Sequence, residues 1–494
     1  MSFRDATVVI IETGRTVVRA GLGLHELLKT PSFNIPARVG LRKSASVNDV
    51  TAGTDSGAST SRASSLPQTS IPGASVNDYL VGSQLDEALA AGQDILISWP
   101  FADGSVRDWT QAEAIWKYVL FTGLQRKRVQ NESPVLLSIP VGLSRDAYEK
   151  VCQIFFERFN VAGFGILERP MAQIYSTISL SGVVVDVDYD KSDITPIYEG
   201  FIVHPGTVTT SVGINDCQRY LANLLKSNQS VMAAISPPES PLESDALNSA
   251  LLAFVEQIWK DGHIKIPSDG ETAIVEDEGI TDIAAIVVAG KEKAVIESGM
   301  KKKQSQKQSA EQQARAREIE AMDLITVQFK EKSITLGKER HRFCEPLFDP
   351  TLVGKVESSD TRTLHLSLQE AVDRAIRQTD VDQRQYIWQG VLVTGDLTKT
   401  VKGLAIALQS RLAPYVVNPE LQTDVQPRSI RLLNVPEYYP EYRDTGEGYA
   451  AFLGSSIVAK LVFINDPHAK NFVSKGDYSQ KGPHSIVEMS PALL

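Results

Sequence analysis

Two copies of one short pattern, about 175 residues apart, restrict this chain more than any other feature. In residues 8–22 a β-branched run, VVIIE, ends in an acidic residue, turns at Thr13-Gly14-Arg15, and returns through TVVRAG. In residues 183–201 a second run, VVVDV, ends in Asp186, turns through Asp188-Tyr189-Asp190, and returns through ITPIYEGF. Alternating apolar runs joined by short turns read as β-hairpins. A duplicated hairpin inside a long α/β chain predicts two related α/β domains that face each other, with both turns at a common cleft. In nucleotide-binding versions of this plan the two turns clamp phosphates through backbone N–H groups, and the acidic residues hold a metal through water.

The remaining texture fits such a fold. Residues 134–140 (PVLLSIP) predict a buried strand, and residues 390–396 (GVLVTGD) predict a strand that ends in a Gly turn and leads to a helix over about 400–412. Between them, residues 144–160 place Ala147, Val151, Ile154, Phe155 and Phe159 at helical spacing behind Ser144, a natural N-cap. At 494 residues the chain has room for two to four structural units, and its 42% hydrophobic and 22% charged residues suit ordinary globular cores. Two segments interrupt that texture. Residues 44–78 are rich in Ser, Thr, Ala and Gly and predict a disordered insertion. Residues 291–320 predict a polar insertion, either a loop or a solvated helix.

Composition also excludes function classes. The formal net charge is −10, from 50 Lys and Arg against 60 Asp and Glu, which disfavours direct binding to phosphate backbones. Cys152, Cys217 and Cys344 are far apart and form no CxxC, so neither a zinc site nor a disulfide framework is indicated. The N-terminus lacks the pattern of a signal peptide, and no run of apolar residues approaches a membrane span. Neither GxxxxGK[ST] nor HExxH nor GxSxG occurs. The Lys301–Lys303 run fits a solvated loop at least as well as an import signal or a DNA-contacting patch.

Five further segments, in order, carry a resemblance. They are CQIFFERFN (152–160), PIYEG (196–200), KERHRFCEPLFDP (338–350), DVDQR (380–384) just before GVLVTGD, and the C-terminal series. That series comprises Gly454-Ser455-Ser456-Ile457, Leu461, Val473-Ser474-Lys475, Asp477-Tyr478, and Gly482-Pro483 through Ser485-Ile486-Val487, with His484 inserted. With these motifs the chain resembles actin and the actin-related proteins over nearly its whole length. The resemblance implies the actin-like ATPase fold: duplicated ribonuclease-H-like domains in four subdomains, here with two insertions. It places residues 1–182 plus 448–494 in the first half and residues 183–447 in the second.

The departures from the family pattern bear on function. The first phosphate loop, Asp-Asn-Gly-Ser-Gly in actin, falls on Glu12-Thr13-Gly14-Arg15-Thr16, and the second, Asp-Ser-Gly-Asp-Gly, falls on Asp186-Val187-Asp188-Tyr189-Asp190. Glycine serves where backbone must approach phosphate closely. Asp188, Tyr189 and Asp190 are expected to crowd and repel a triphosphate, and Arg15 to offset some of that charge. The water-orienting Gln of actin is matched to Gln153. The actin His of the second return strand falls at Asp193. The Gly-Gly pair at the adenosine becomes Gly395-Asp396, and the Lys-Glu pair near adenine aligns loosely with Glu256-Gln257. A degenerate nucleotide site follows, built from Glu12, Gly14, Arg15, Gln153, Asp186 and Gly395. It has no catalytic residue, no protein-held metal and no expected cofactor beyond a weak, vestigial ATP–Mg. Glu12 and Asp186 stay open between turn-stabilising remnants and a metal-linked role.

The resemblance also implies a second site, a groove between the two large subdomains that accepts partner helices. Its walls would be Gly200, Phe201, Val458 and Leu461, whose apolar character suits helix-in-groove recognition and equally suits core packing. The lost phosphate glycines, FVEQIW (254–259) and PIYEGF are most similar to the fungal nuclear class of actin-related proteins numbered nine, found in SWI/SNF and RSC chromatin remodellers. That likeness implies a nuclear, non-catalytic subunit that pairs with a second actin-related protein. It would clamp the helicase-SANT-associated helix of the remodeller ATPase, touch nucleosomal DNA only indirectly, bind no membrane and not self-polymerise. A subunit of another nuclear complex, either another remodeller class or a histone acetyltransferase, is the alternative. An ATP-binding cytoskeletal relative fits less well.

Overall fold

A computed structural model of the chain describes residues 4–24, 28–43, 73–129, 131–266, 323–353, 364–416, 429–465 and 471–490. Residues 44–72, the insertion 291–320 and Lys301–Lys303 lie outside the described residues. The end of the first predicted insertion is ordered: Ser75 N donates to Asp78 Oδ2 at 2.7 Å, and Ala74 and Val76 pack against a core. These two small apolar residues supply the burial that the Ser-rich stretch before them lacks.

The chain opens with the first predicted hairpin, β1 (Val9–Thr13) and β2 (Val17–Leu22), extended by β3 (Phe33–Pro36). A small sheet follows, made of β4 (Val39–Arg42), β5 (Tyr79–Val81) and β6 (Ile95–Ser98). Strands β7 (Pro134–Ile139) and β8 (Gly163–Glu168) then join parallel to β1. The second hairpin is β9 (Gly182–Val187) and β10 (Ser192–Tyr198), with β11 (Phe201–Ile202) and β12 (Val208–Thr210) on β10. A two-stranded unit, β13 (Ile325–Phe329) and β14 (Lys332–Leu336), precedes β15 (Val391–Thr394), which lies parallel to β9. Strand β16 (Val473–Ser474) closes the first large sheet against β8.

The result is a six-stranded layer, β16-β8-β7-β1-β2-β3, and a five-stranded layer in which β11-β10-β9-β15 are joined by β12. Each layer repeats one plan, an antiparallel hairpin whose first strand later gains a parallel neighbour. Parallel neighbours require crossovers, which cover both faces with helices, and this explains why β1 and β9 read as continuous apolar runs. Val9 and Ile11 face one core while Val8 and Ile10 face another. Likewise Val183, Val185 and Val187 face away from Val184.

The core that receives Val8, Ile10, Val184, Ile197 and Leu392 lies between the two layers. Two helices fill it, Arg169–Tyr175 and Ala450–Lys460. They approach so closely that a Cβ at Gly454 would stand 1.6 Å from the carbonyl oxygen of Ala172. The second helix lies in Gly446–Ile464, which is long and apolar enough to cross a membrane, contrary to the expectation from the sequence. That stretch is mostly buried, because the apolar side chains that would face lipid face both layers instead.

Local signals explain the remaining elements near the site. Ser144 caps the helix Arg145–Gln153 by accepting from Ala147 N at 3.2 Å. The helix after β15 is Leu404–Val416, not 400–412. Its start is delayed because the Lys402 carbonyl accepts from Ile266 N at 3.1 Å and Gly403 takes a φ of +94°. The three thiols are buried and free.

Candidate functional site

The two hairpin turns meet as expected, but the space between them is filled by the chain's own charges. Glu12 sits directly across from Arg19 in the first hairpin, and Asp186 sits directly across from Asp193 in the second. Like charges in opposed positions destabilise a strand pair. Here cations from the other layer relieve that repulsion. Arg15, in the first turn, pairs bidentately with Asp193, with Nη2 to Oδ1 at 3.0 Å. Arg169, at the head of the helix after β8, contacts Asp186 through Nη1 and donates from Nε to Glu12 Oε1 at 3.2 Å.

Further bonds line the same gap. Arg19 donates to Glu12 Oε1 at 2.8 Å within its own hairpin and reaches Asp396 of the five-stranded layer. Lys399 stands 2.6 Å from the same Asp396 carboxylate. Thr16 Oγ1 donates to Asp188 Oδ1 at 2.7 Å, and Gln173 Nε2 donates to Asp186 Oδ2 at 2.8 Å. In all, five carboxylates (Glu12, Asp186, Asp188, Asp193, Asp396) face four cations (Arg15, Arg19, Arg169, Lys399). Arg19 and Lys399 also stand over the Tyr449 ring, at 5.3 and 3.9 Å from its centroid.

The cavity left among Gly14, Thr16, Arg19, Arg169, Asp186, Asp188, Gly395 and Asp396 measures about 10 Å³. That is room for about one water molecule, against several hundred Å³ in ordinary small-molecule pockets. Glu12 Oε2, Asp186 Oδ1 and Gln173 Oε1 are buried there without a hydrogen-bond partner. Among the described residues no group of three or more His, Cys, Asp or Glu could hold a metal ion.

Burial and charge act in opposite directions on these acids. Burial pushes Asp186 and Asp188 above the usual carboxylate range, with Arg169 only partly opposing it. Burial would also raise Asp193, but Arg15 and the Thr209 hydroxyl hold it below that range. Arg19 and Lys399 do the same for Asp396. Burial and the nearby Arg19 lower Lys399.

The structure places the residues expected from sequence as follows. Glu12, Gly14, Arg15, Asp186 and Gly395 all border this cleft. Gly395 has a φ of +112°, and a Cβ there would lie 2.2 Å from the Val187 carbonyl oxygen, so a glycine is required. Arg15 does not offer a spare positive charge, because Asp193 takes it up. Gln153 is not in the cleft. It ends the helix Arg145–Gln153 on the surface, donating to Glu157 at 3.2 Å and accepting from Lys150 at 3.0 Å. Asp190 does not crowd the cleft either. Tyr189 packs edge-on to Trp259, and Asp190 is exposed and accepts from Asn215. The second turn is instead spent on a helix N-terminus: the Asp188 and Tyr189 carbonyls accept from Ile214 N and Asn215 N at 3.0 and 2.8 Å. Glu256 pairs with Lys260, and Gln257 binds the Gln328 carbonyl.

Sequence reasoning missed Arg19, Arg169, Gln173, Lys399 and the ionic role of Asp396. The available signal was an arginine inside an apolar strand (VVRAG) and another directly after a buried strand.

At the far end of β10 the surface is apolar. Phe201 is 65% exposed and Leu461 53%, joined by Ile178 at 65% and Leu180 at 59%. Gly200 N donates to the Leu180 carbonyl at 2.7 Å, which ties two of these rim segments together. Tyr175, Ile202 and Ile457 sit partly buried against the inter-layer core. Val458 does not line this surface. It is 7% exposed and packs in that core, because its helix turns it toward Arg169–Tyr175.

Comparison with known proteins returns one family. The family model described as Actin matches residues 3–490. The SWI/SNF and RSC complexes subunit arp9 of Schizosaccharomyces pombe is 26% identical, over 98% of this chain and 99% of that protein. Actin-related protein 7 of Arabidopsis thaliana is 26% identical, over 82% of this chain and 88% of its own length. Actin-related protein 7 of Oryza sativa subsp. indica is also 26% identical, over 78% and 84%.

Proposed function

The chain belongs to the actin family, and from that premise we propose that it is a non-catalytic actin-related subunit of a SWI/SNF- or RSC-type chromatin-remodelling complex. The observation that carries this reading is the contrast between its two sites. The cleft between the hairpins is filled by arginine–carboxylate pairs, while an apolar rim of Ile178, Leu180, Phe201 and Leu461 stands open. Phosphoryl transfer needs preorganised donors, a metal and a positioned water. Here every cleft cation already has a carboxylate partner, so ATP hydrolysis is not expected of this chain.

In this reading residues 1–182 with 448–494 and residues 183–447 form the two halves, and the rim lies where they meet. An amphipathic helix laid along it would bury the four exposed side chains, which is the helix-in-groove mode. The occupant is the helicase-SANT-associated helix of the remodeller ATPase, with a second actin-related protein beside it. Full-length similarity to a SWI/SNF and RSC subunit supports this assignment. The protein is nuclear, and the net charge of −10 leaves DNA contact to its partners. The long Ser-rich insertion disfavours self-polymerisation.

The test is a native purification of the tagged chain, with mass spectrometry of partners and assay of released nucleotide on the same sample. A remodeller ATPase and a second actin-related protein, with no stoichiometric ATP from this subunit, are expected. A histone acetyltransferase or cytoskeletal assembly, or one ATP per chain, would overturn the reading.

A further inference from the structure

We infer that the cleft is self-ligated: Arg169, with Arg15 and Arg19, acts as a built-in ligand that latches the two layers together, and the latch fixes the spacing of the apolar rim at the other end. Most of the strong cleft bonds join residues of different layers. Arg15 to Asp193, Thr16 to Asp188, Arg19 to Asp396, Arg169 to Asp186 and Gln173 to Asp186 all cross the gap. Within a layer, Arg19 and Arg169 bind Glu12, which orients the two central guanidinium groups, while Lys399 binds Asp396 and the Thr209 hydroxyl binds Asp193. The acids lie mainly on one side and the cations mainly on the other, so the layers are complementary to each other and not to a shared anion. With about 10 Å³ left, closure does not wait for a bound molecule.

The link to the rim is structural. Strand β10 carries Asp193 at its cleft end and Tyr198, paired with Phe201, at the other, five residues or about 17 Å away. The helix Arg169–Tyr175 runs from the Arg169 latch about 9 Å to Tyr175, just before Ile178. The helix Ala450–Lys460 starts beside Tyr449, under Arg19 and Lys399, and ends at Leu461. Gly454 locks this helix onto Ala172 of the other. Three rigid elements therefore begin at the latch and end at the rim. Phe201 belongs to the five-stranded layer, while Leu461 follows a helix packed on β1 and β7 of the six-stranded layer. A change in the angle between layers alters their separation.

The role of the rim as a docking groove rests on the proposed function, but the latch is tested without any partner. Spin labels are placed on the full chain through Phe201→Cys and Leu461→Cys, and their separation is measured by pulsed dipolar spectroscopy. The native thiols are buried and take no label. One narrow distance distribution, unchanged by millimolar MgATP, is expected. Arg169→Gln should broaden it by several ångströms and speed amide exchange in β1, β2, β9 and β10, while Arg169→Lys, which restores the charge, should recover most of the narrow distribution. If Arg169→Gln fails to fold, Arg15→Gln at the more accessible lip gives the same readout. An unaltered distribution in a folded Arg169→Gln or Arg15→Gln chain, or a narrowing by MgATP in the unsubstituted cleft, would overturn the inference. A responsive rim that binds no remodeller helix would sink the docking assignment and leave the latch standing.

Discussion

Arg169 and Asp186 sit on opposite layers of the molecule and are joined directly, guanidinium to carboxylate. Each also holds a second partner: Arg169 reaches Glu12, and Asp186 accepts from Gln173. All four side chains are buried or nearly so. Removing one member of a buried ion pair leaves the other charge without compensation, at a cost of about 3–5 kcal/mol. Arg169→Ala leaves two such charges, Glu12 and Asp186, although Arg19 still serves Glu12. A loss of stability in that range is expected by denaturant unfolding, and a loss below about 1 kcal/mol, the level of an exposed pair, would show that the pair is not held in a low-dielectric environment.

The pH dependence of the Arg15–Asp193 pair has a definite sign. Asp193 lies below its ordinary value in the folded chain, because Arg15 and Thr209 outweigh burial. Its stabilisation is therefore complete above the unfolded carboxylate value of about 3.9 and is lost as pH falls through the folded value. Asp186 and Asp188, raised by burial, act in the opposite direction. Comparing the parent with Asp193→Asn largely cancels their contribution. The parent should be the more stable at neutral pH, with the difference shrinking below about pH 4. A difference that stays constant down to pH 3 would contradict the pairing.

Gly454 tests the helix crossing between the layers. A methyl group there meets the Ala172 carbonyl oxygen at 1.6 Å and its carbon at 2.6 Å. Gly454→Ala should force the two helices apart and cost more than the ordinary overpacking range of about 1–3 kcal/mol, since the obstacle is backbone. Thermal unfolding reads this directly, and a near-neutral effect would mean that the crossing is looser than described.

The rim predicts the reverse behaviour. Phe201 and Leu461 are more than half exposed, so Phe201→Asp with Leu461→Asp should leave stability within about 0.5 kcal/mol per site. Co-purification of the remodeller ATPase should fall sharply. A folded double variant that retains its partner would count against the groove.

Much of the cleft was legible in the chain. The position of Glu12 at the end of one apolar run and Asp186 at the end of another placed both at facing turns, because strand alternation and turn chemistry are local. Gly395 was legible for the same reason. Gln153 was misplaced because matching its flanking CQIFFERFN fixes a helix and says nothing of which way that helix faces. Val458 was misplaced because an apolar residue near the end of a helix can face the core or the surface, and this helix is buried over most of its length. Arg15 was identified but its charge was misjudged, since its partner lies 178 residues on.

The sequence by itself determined the two hairpins, the buried strands that gain parallel neighbours, the cap at Ser144 and hairpin turns that hold a single glycine, Gly14, all consequences of residues close together in the chain. The tertiary structure alone decided that Arg19 would meet Asp396, 377 residues away, and that Arg169 would stand between Glu12 and Asp186. Charge interactions depend on distance and dielectric, and both were set only when the two layers closed on their shared core.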